Sequence, residues 1–300
     1  MDERGFITRT KYDVATRAIT QQIQDVDTSV ETGAPTGWTT PSGGGLNLTS
    51  DFEHDNQGRM TQSLGPSHTI DLSGTATSIR RAVWIVYDES ATGRETRTGT
   101  GYATGSAGSY TYTLVNPVSI TKTDVAGRKT EQIQATRAST SGKLLPADTF
   151  AQSSYTRWTT TSYTDCCHEA SQRTYHTIPS SGTGSAGTNY DETVYGYDVM
   201  KRSNRTVSPG GTITFNVFNS RGLVTETWVG TNDNGATPSD PSGGGASGNN
   251  MVRVTTWQYD GGTAGGDGNV TTQTQYVDTS TTRVTTFGYD FRNRQTTSDE

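Results

Sequence analysis

Three hundred residues carry 24 Lys and Arg against 30 Asp and Glu, a net charge of −6, and only 29% of them are hydrophobic. No basic run exceeds two residues, so the footprint that nucleic acid requires is missing. No apolar stretch approaches the ~20 residues of a membrane helix, and Met1-Asp2-Glu3-Arg4-Gly5 is not a signal peptide.

The chain holds 57 Thr and 35 Gly. Threonine suits a pleated, half-solvated surface and glycine supplies turns, so this composition points to strands. No window sustains the i, i+3, i+4, i+7 apolar spacing of a helix. A mean hydropathy of −0.69 is in the range of disordered chains, but 14 Tyr, 7 Phe and 5 Trp spread along the sequence argue for a folded one.

An aromatic-Asp turn recurs along the chain. Its copies begin with Tyr12-Asp13, then His54-Asp55 with Gly58-Arg59, then Tyr87-Asp88 followed by Gly93-Arg94. Thr123-Asp124 with Gly127-Arg128 comes next, and Tyr163 with Asp165 is a degenerate copy. Tyr197-Asp198, Phe218-Asn219 with Gly222, Tyr259-Asp260, and Tyr289-Asp290 with Asn293 complete the series. Longer spacings hold inserts such as Thr40–Gly45, Ser180–Gly187 and Pro238–Gly248. The clearest unit runs from Tyr197 through Pro209-Gly210-Gly211 to Phe218, with Thr212–Phe218 alternating as a strand.

The turn chemistry explains these residues. An Asp or Asn at the first position accepts hydrogen bonds from the backbone two residues on, and Gly at the fourth tolerates positive φ. Gly58, Gly127, Gly222 and Asn293 are expected at positive φ, each closing a type I turn with a bulge. Thr16 and Lys201 fit that slot poorly. One Tyr per hairpin is expected to stack on the Tyr of the next, burying Tyr12, Tyr87, Tyr197, Phe218, Tyr259 and Tyr289.

These motifs resemble the YD repeats of the RHS family, which includes bacterial RHS proteins, Tc-toxin shells, wall-associated proteins and teneurins. The resemblance covers essentially the whole chain. It implies an all-β fold of antiparallel β-hairpin repeats forming a continuous spiralling sheet, part of a shell or filament. It also implies residues 1–300 as one repeat array. Asp2–Thr10 aligns with Asn219–Thr227, and Gln295–Glu300 stops inside a strand, so the chain reads as a fragment of a longer one.

Other chemistry is sparse. Cys166-Cys167-His168-Glu169 lacks the spacing and second ligand pair of a zinc site; a vicinal disulfide or inert thiols fit better. Asn232–Gly235 and Gly262–Asn269 lack the D-x-D-x-D-G pattern of calcium loops. No catalytic or phosphate-binding motif occurs, so neither an enzyme nor a cofactor is expected. The leading expectation is a structural segment of a very long secreted or cell-surface protein, paired with neighbouring repeats or self-associated. The alternatives are a delivery shell around a downstream toxin and a surface module that binds cell-surface glycans.

Overall fold

The computed structural model describes residues 6–40, 44–165, 167–263, 265–278 and 280–300. Met1, the start of the aligned terminal segment and Cys166 lie outside them. The described residues form 18 antiparallel strands in one sheet. Among the described residues the helical elements are three single-turn 3₁₀ segments, Gln152–Ser154, Gly243–Gly245 and Asp260–Gly262. Two compact units divide it: Met1–Thr160 with Tyr175–Gly184, and Thr161–Thr174 with Ser185–Glu300.

The first unit begins with β1 (Arg9–Tyr12), β2 (Ile19–Gln24), β3 (Leu48–His54) and β4 (Met60–Leu72). It continues with β5 (Thr75–Ser90), β6 (Gly93–Thr104), β7 (Thr111–Asp124), β8 (Lys129–Ala135) and most of β9 (Tyr155–Tyr163). Each strand pairs with its successor, as hairpins joined in series require. The core collects alternate residues: Trp84 and Val86 of β5, Leu114, Val118 and Ile120 of β7, and Ile133 of β8. A Cβ on Gly101 would lie 2.8 Å from the Trp84 indole and closer still to the Thr113 carbonyl, so glycine admits the indole there. The segment between β8 and β9 forms a strap that buries Leu144. Arg137 holds the strap through the carbonyls of Ser139, Ser141, Gly142 and Lys143, while Arg97 reaches those of Pro146 and Asp148.

The second unit carries β10 (Glu169–Tyr175), β11 (Tyr190–Tyr197), β12 (Ser203–Val207), β13 (Ile213–Phe218) and β14 (Val224–Gly230). After these come β15 (Val252–Tyr259), β16 (Val270–Tyr276), β17 (Thr282–Tyr289) and β18 (Gln295–Asp299). Its core is smaller: Ile213, Phe215 and Met251 are buried, with Val207, Trp228 and Ala236 against them. In a meander, alternate connections fall on opposite ends of the strands. Within the second unit the turns capped by Asp198, Asn219 and Asp290 therefore share one end of the strands, and the Pro238–Gly248 insert and the Asp278 turn share the other.

All four expected positive-φ residues adopt that conformation: Gly58 at 77°, Gly127 at 79°, Gly222 at 83° and Asn293 at 60°. Lys201 also takes it, at 65°, despite its Cβ. The Asp13 turn instead gains a residue, and Arg17 rather than Thr16 has positive φ. A Cβ on Gly127 would meet nothing within 4 Å, so its replacement tests the backbone alone. Gly127→Val should destabilise by about 1–2 kcal/mol, and Lys201→Gly should stabilise by up to about 1 kcal/mol. Urea melts of both variants measure this; equal effects of one sign would contradict the turn frame.

Candidate functional site: the row of coupled turns

One five-residue geometry recurs at the turn end. In residues 55–59 the Asp55 amide donates to the Arg59 carbonyl at 2.9 Å, and the Gly58 amide to the Asp55 carbonyl at 3.0 Å. One carboxylate oxygen accepts from the amides of Gln57 and Arg59, each at 2.9 Å, and the other from the Arg59 guanidinium at 2.7 Å. Asp124 with Arg128, Asp198 with Arg202 and Asp290 with Arg294 repeat the whole set. Asn219 keeps the two amide bonds, to Arg221 and Leu223, and has no Arg partner of its own. Ser208–Thr212, at the opposite end of the strands, closes with the same pair of backbone bonds.

Three sequence assignments need correction. Tyr87 and Asp88 do not open a turn: both lie inside β5, whose pairing runs on to Ser90 opposite Gly93. Asp165 is not the capping residue either. Thr164 is, with its hydroxyl accepting from the His168 amide at 3.2 Å and Cys167 in the glycine slot at φ 83°. At Tyr259-Asp260 the turn opens into a loop that closes only at Asn269, whose carbonyl takes the Asp260 amide. Asp260 itself is at φ 52°, and its carboxylate accepts from the amides of Gly268 and Asn269.

The rings do not simply stack on one another. The Arg59 guanidinium lies 4.3 Å over Tyr87, the His168 ring 4.7 Å from Tyr197, and the Arg202 guanidinium 4.7 Å over Phe218. In each case the residue that ends one turn covers an aromatic of the next hairpin along the sheet. The phenols follow a matching rule. Tyr87, Tyr197 and Tyr259 donate to the carbonyls of Met60, Glu169 and Val224, at 3.3, 2.9 and 2.7 Å. Each acceptor directly follows the last residue of the preceding turn. Polar bonds join turns as well: Arg202 to the Asn219 carbonyl, Arg221 to Asp260, and Asn269 to Asn293.

Tyr87, Tyr197, Phe218, Tyr259 and Tyr289 are half-buried, whereas Tyr12 is 58% exposed, against the expectation of burial. Among the described residues the buried rings are others: Trp84, Trp158, Tyr175, Tyr190 and Phe215. Trp158 stacks on Tyr175 with centroids 4.0 Å apart.

The sequence reading missed the threonine of the bulge. In seven hairpins the register shifts by one residue just before the residue that precedes the cap, leaving Thr20, Thr61, Thr130, Asn204, Thr225, Thr271 and Thr296 as the extra residues. A bulge leaves its extra residue unpaired and disrupts the ladder locally. There the hydroxyls of Thr130, Thr225 and Thr271 add a bond across the strands, donating to the carbonyls of Lys122, Val217 and Gln258 at 3.2–3.3 Å.

At four turns the capping carboxylate is held low by its own turn. Asp124 is held below the usual carboxylate range by the Arg128 amide and guanidinium, and Asp290 by the Arg294 guanidinium and amide. At Asp55 and Asp198 desolvation pushes upward and is outweighed by the same Arg and amide bonds. Asp278, in the turn between β16 and β17, is lowered to about 2 by bonds from Ser280 and Thr281. Among the described residues no group of three His, Cys, Asp or Glu is placed to hold a metal ion.

No family model matches the chain, and no curated protein does. Among solved structures it is similar to TcdB2-TccC3 with Cdc42, and to TcdB2-TccC3, each at TM-score 0.33 and 14% identity. These matches cover 93% of this chain and 13–14% of those. A Tc holotoxin pore of Photorhabdus luminescens is similar at TM-score 0.29 and 11% identity, over 93% of this chain and 16% of that one. The chain thus spans less than a fifth of these Tc toxin components.

Two measurements follow from the turn chemistry. A carboxylate whose folded pKa is depressed stabilises above its unfolded value, and that stability is lost as pH falls through the folded value. Unfolding free energy should therefore hold from neutral pH down to about the ordinary aspartate value of 3.8, then fall toward about 2. An acid transition centred near pH 6 would contradict this. Thr225→Val should cost about 1 kcal/mol for the lost hydrogen bond, and Thr225→Ser far less. Equal losses in thermal melts would show that the hydroxyl bond is idle.

Proposed function

We propose that this chain is a structural wall segment of a long secreted or cell-surface repeat protein, and that it is not an enzyme. The observation that carries the reading is the coupled row of turns. A residue of one repeat completes the environment of the next repeat's aromatic, so the unit of construction is the junction between repeats. Such a device extends a sheet by addition, as nearest-neighbour coupling does in repeat proteins. The capping aspartates and the arginines bonded to them are engaged by their own turn or its neighbour, which suits a scaffold better than a site that must release product.

Sheath, adhesive filament and capsule around a downstream toxin are all forms of such a wall. Its partners are neighbouring repeats of the same polypeptide or further copies of it. Imaging the native, full-length protein by electron microscopy, with biotin labelling of intact cells, tests the proposal. The expected result is a labelled surface or secreted particle in which this segment forms continuous β-wall. A segment standing apart as a globular domain around a substrate pocket would overturn it.

A further inference from the structure

At one junction the cover over the next ring is missing. Arg59, His168 and Arg202 each end a turn and lie against an aromatic of the next hairpin. The Asp13 turn is one residue longer: the Asp13 amide donates to the Ala18 carbonyl at 2.8 Å, and the Arg17 amide to the Asp13 carbonyl at 3.0 Å. The extra residue moves the arginine out of the closing position. Arg17 takes the left-handed slot at φ 62°, and Ala18 stands where Arg59 and Arg202 stand in their turns. For His54, which holds the aromatic position of the next hairpin, the turn thus supplies a methyl group in place of a guanidinium.

A cleft of about 400 Å³ opens at this place. Asp13, Thr16, Thr20, Phe52, His54 and Asp55 line it, with Glu53, whose carboxylate is engaged by Gln62 and Lys143. Asp13 gives its turn one oxygen only. Oδ1 accepts from the amides of Ala15 and Thr16 at 3.0 and 2.7 Å and from the Thr16 hydroxyl at 2.9 Å. At Asp55 and Asp198 the second oxygen takes the guanidinium that ends the turn, whereas among the described residues Oδ2 of Asp13 has no hydrogen bond. The Thr16 amide and hydroxyl hold the Asp13 carboxyl below the ordinary carboxylate range, and the nearby His54 ring adds to that lowering. A free carboxylate oxygen beside ring faces suits a planar cation, which can stack and donate at once. A bare metal ion is not matched, since no three ligating side chains converge among the described residues.

We propose that this slot binds the guanidinium of an arginine side chain from another polypeptide, stacked on His54 and bonded to the Asp13 carboxylate. The chain itself supplies the precedent, with guanidinium groups 4.3 Å over Tyr87 and 4.7 Å over Phe218 at the corresponding junctions. The site follows from the repeat geometry and does not depend on whether the sheet serves as a wall.

Saturation-transfer NMR on the full chain, with Nα-acetyl-arginine N-methylamide as the probe, tests the assignment. The citrulline analogue, which has the same shape and no charge, is the control. The arginine probe should bind in the millimolar range and the citrulline analogue about tenfold more weakly, the worth of one charged hydrogen bond. Asp13→Asn keeps an oxygen for the turn amides, as Asn219 does in its own turn, and should also weaken binding about tenfold. Ala18→Arg supplies the missing cation from within and should abolish binding. Free arginine should bind no tighter than the capped residue; binding about tenfold tighter would make the free amino acid the ligand and overturn the assignment to a polypeptide. If Ala18→Arg fails to fold, Asp13→Asn decides alone. No saturation transfer from the arginine probe, equal binding of the citrulline analogue, or binding that neither variant weakens would overturn the proposal.

Discussion

Everything in this fold rests on what one Asp carboxylate does at the tip of a hairpin. One of its oxygens takes two backbone amides that the tight turn would otherwise leave unpaired, and the other orients an arginine. The first bond pair fixes the turn, and with it the left-handed residue at its fourth position. The second places a planar cation where the next repeat's ring can lie against it. Local capping and long-range coupling are therefore one event. Where Asn219 replaces Asp the arginine is lost and Leu223 ends the turn, yet the Tyr259 phenol still reaches the following carbonyl.

This economy fits a chain with few large aliphatic residues. The first unit gathers a substantial buried set, including a strap whose Leu144 packs over the sheet, but the second has only a small one. There the strands are largely half-buried, and order depends on hydrogen bonds, half-covered rings and register. Register is pinned by the bulge, because a slip of one residue would misplace both the glycine slot and the extra threonine. Threonine serves twice: its branched Cβ favours the strand, and its hydroxyl adds a bond to the partner strand's carbonyl beside the bulge.

The turns were legible because Asp and Gly are rare enough at fixed separation to stand out. The threonine was not, although Thr61, Thr130, Thr225 and Thr296 each follow the capping residue by six positions. In a chain with 57 threonines that regularity is submerged unless the turns are first aligned on their caps. Tyr87-Asp88 misled for the opposite reason. The dipeptide matches, but Asp88, Glu89 and Ser90 find cross-strand partners and the strand continues. At residues 163–168 identity outweighed position: Asp165 drew attention, whereas Thr164, next to the aromatic, caps the turn. Ring-on-ring stacking was inferred from spacing alone, which cannot show that a cation from the previous turn fills the gap.

The central claim is that adjacent repeats are coupled through the cation of one turn and the ring of the next. A double-mutant cycle with Arg202→Met and Phe218→Leu, measured by urea denaturation, tests it most directly. The same cycle with Arg202 and Tyr289 serves as the reference for uncoupled positions. The account predicts a coupling of about 0.5–1 kcal/mol for the first pair and additivity for the second. Additivity in both cycles would contradict it.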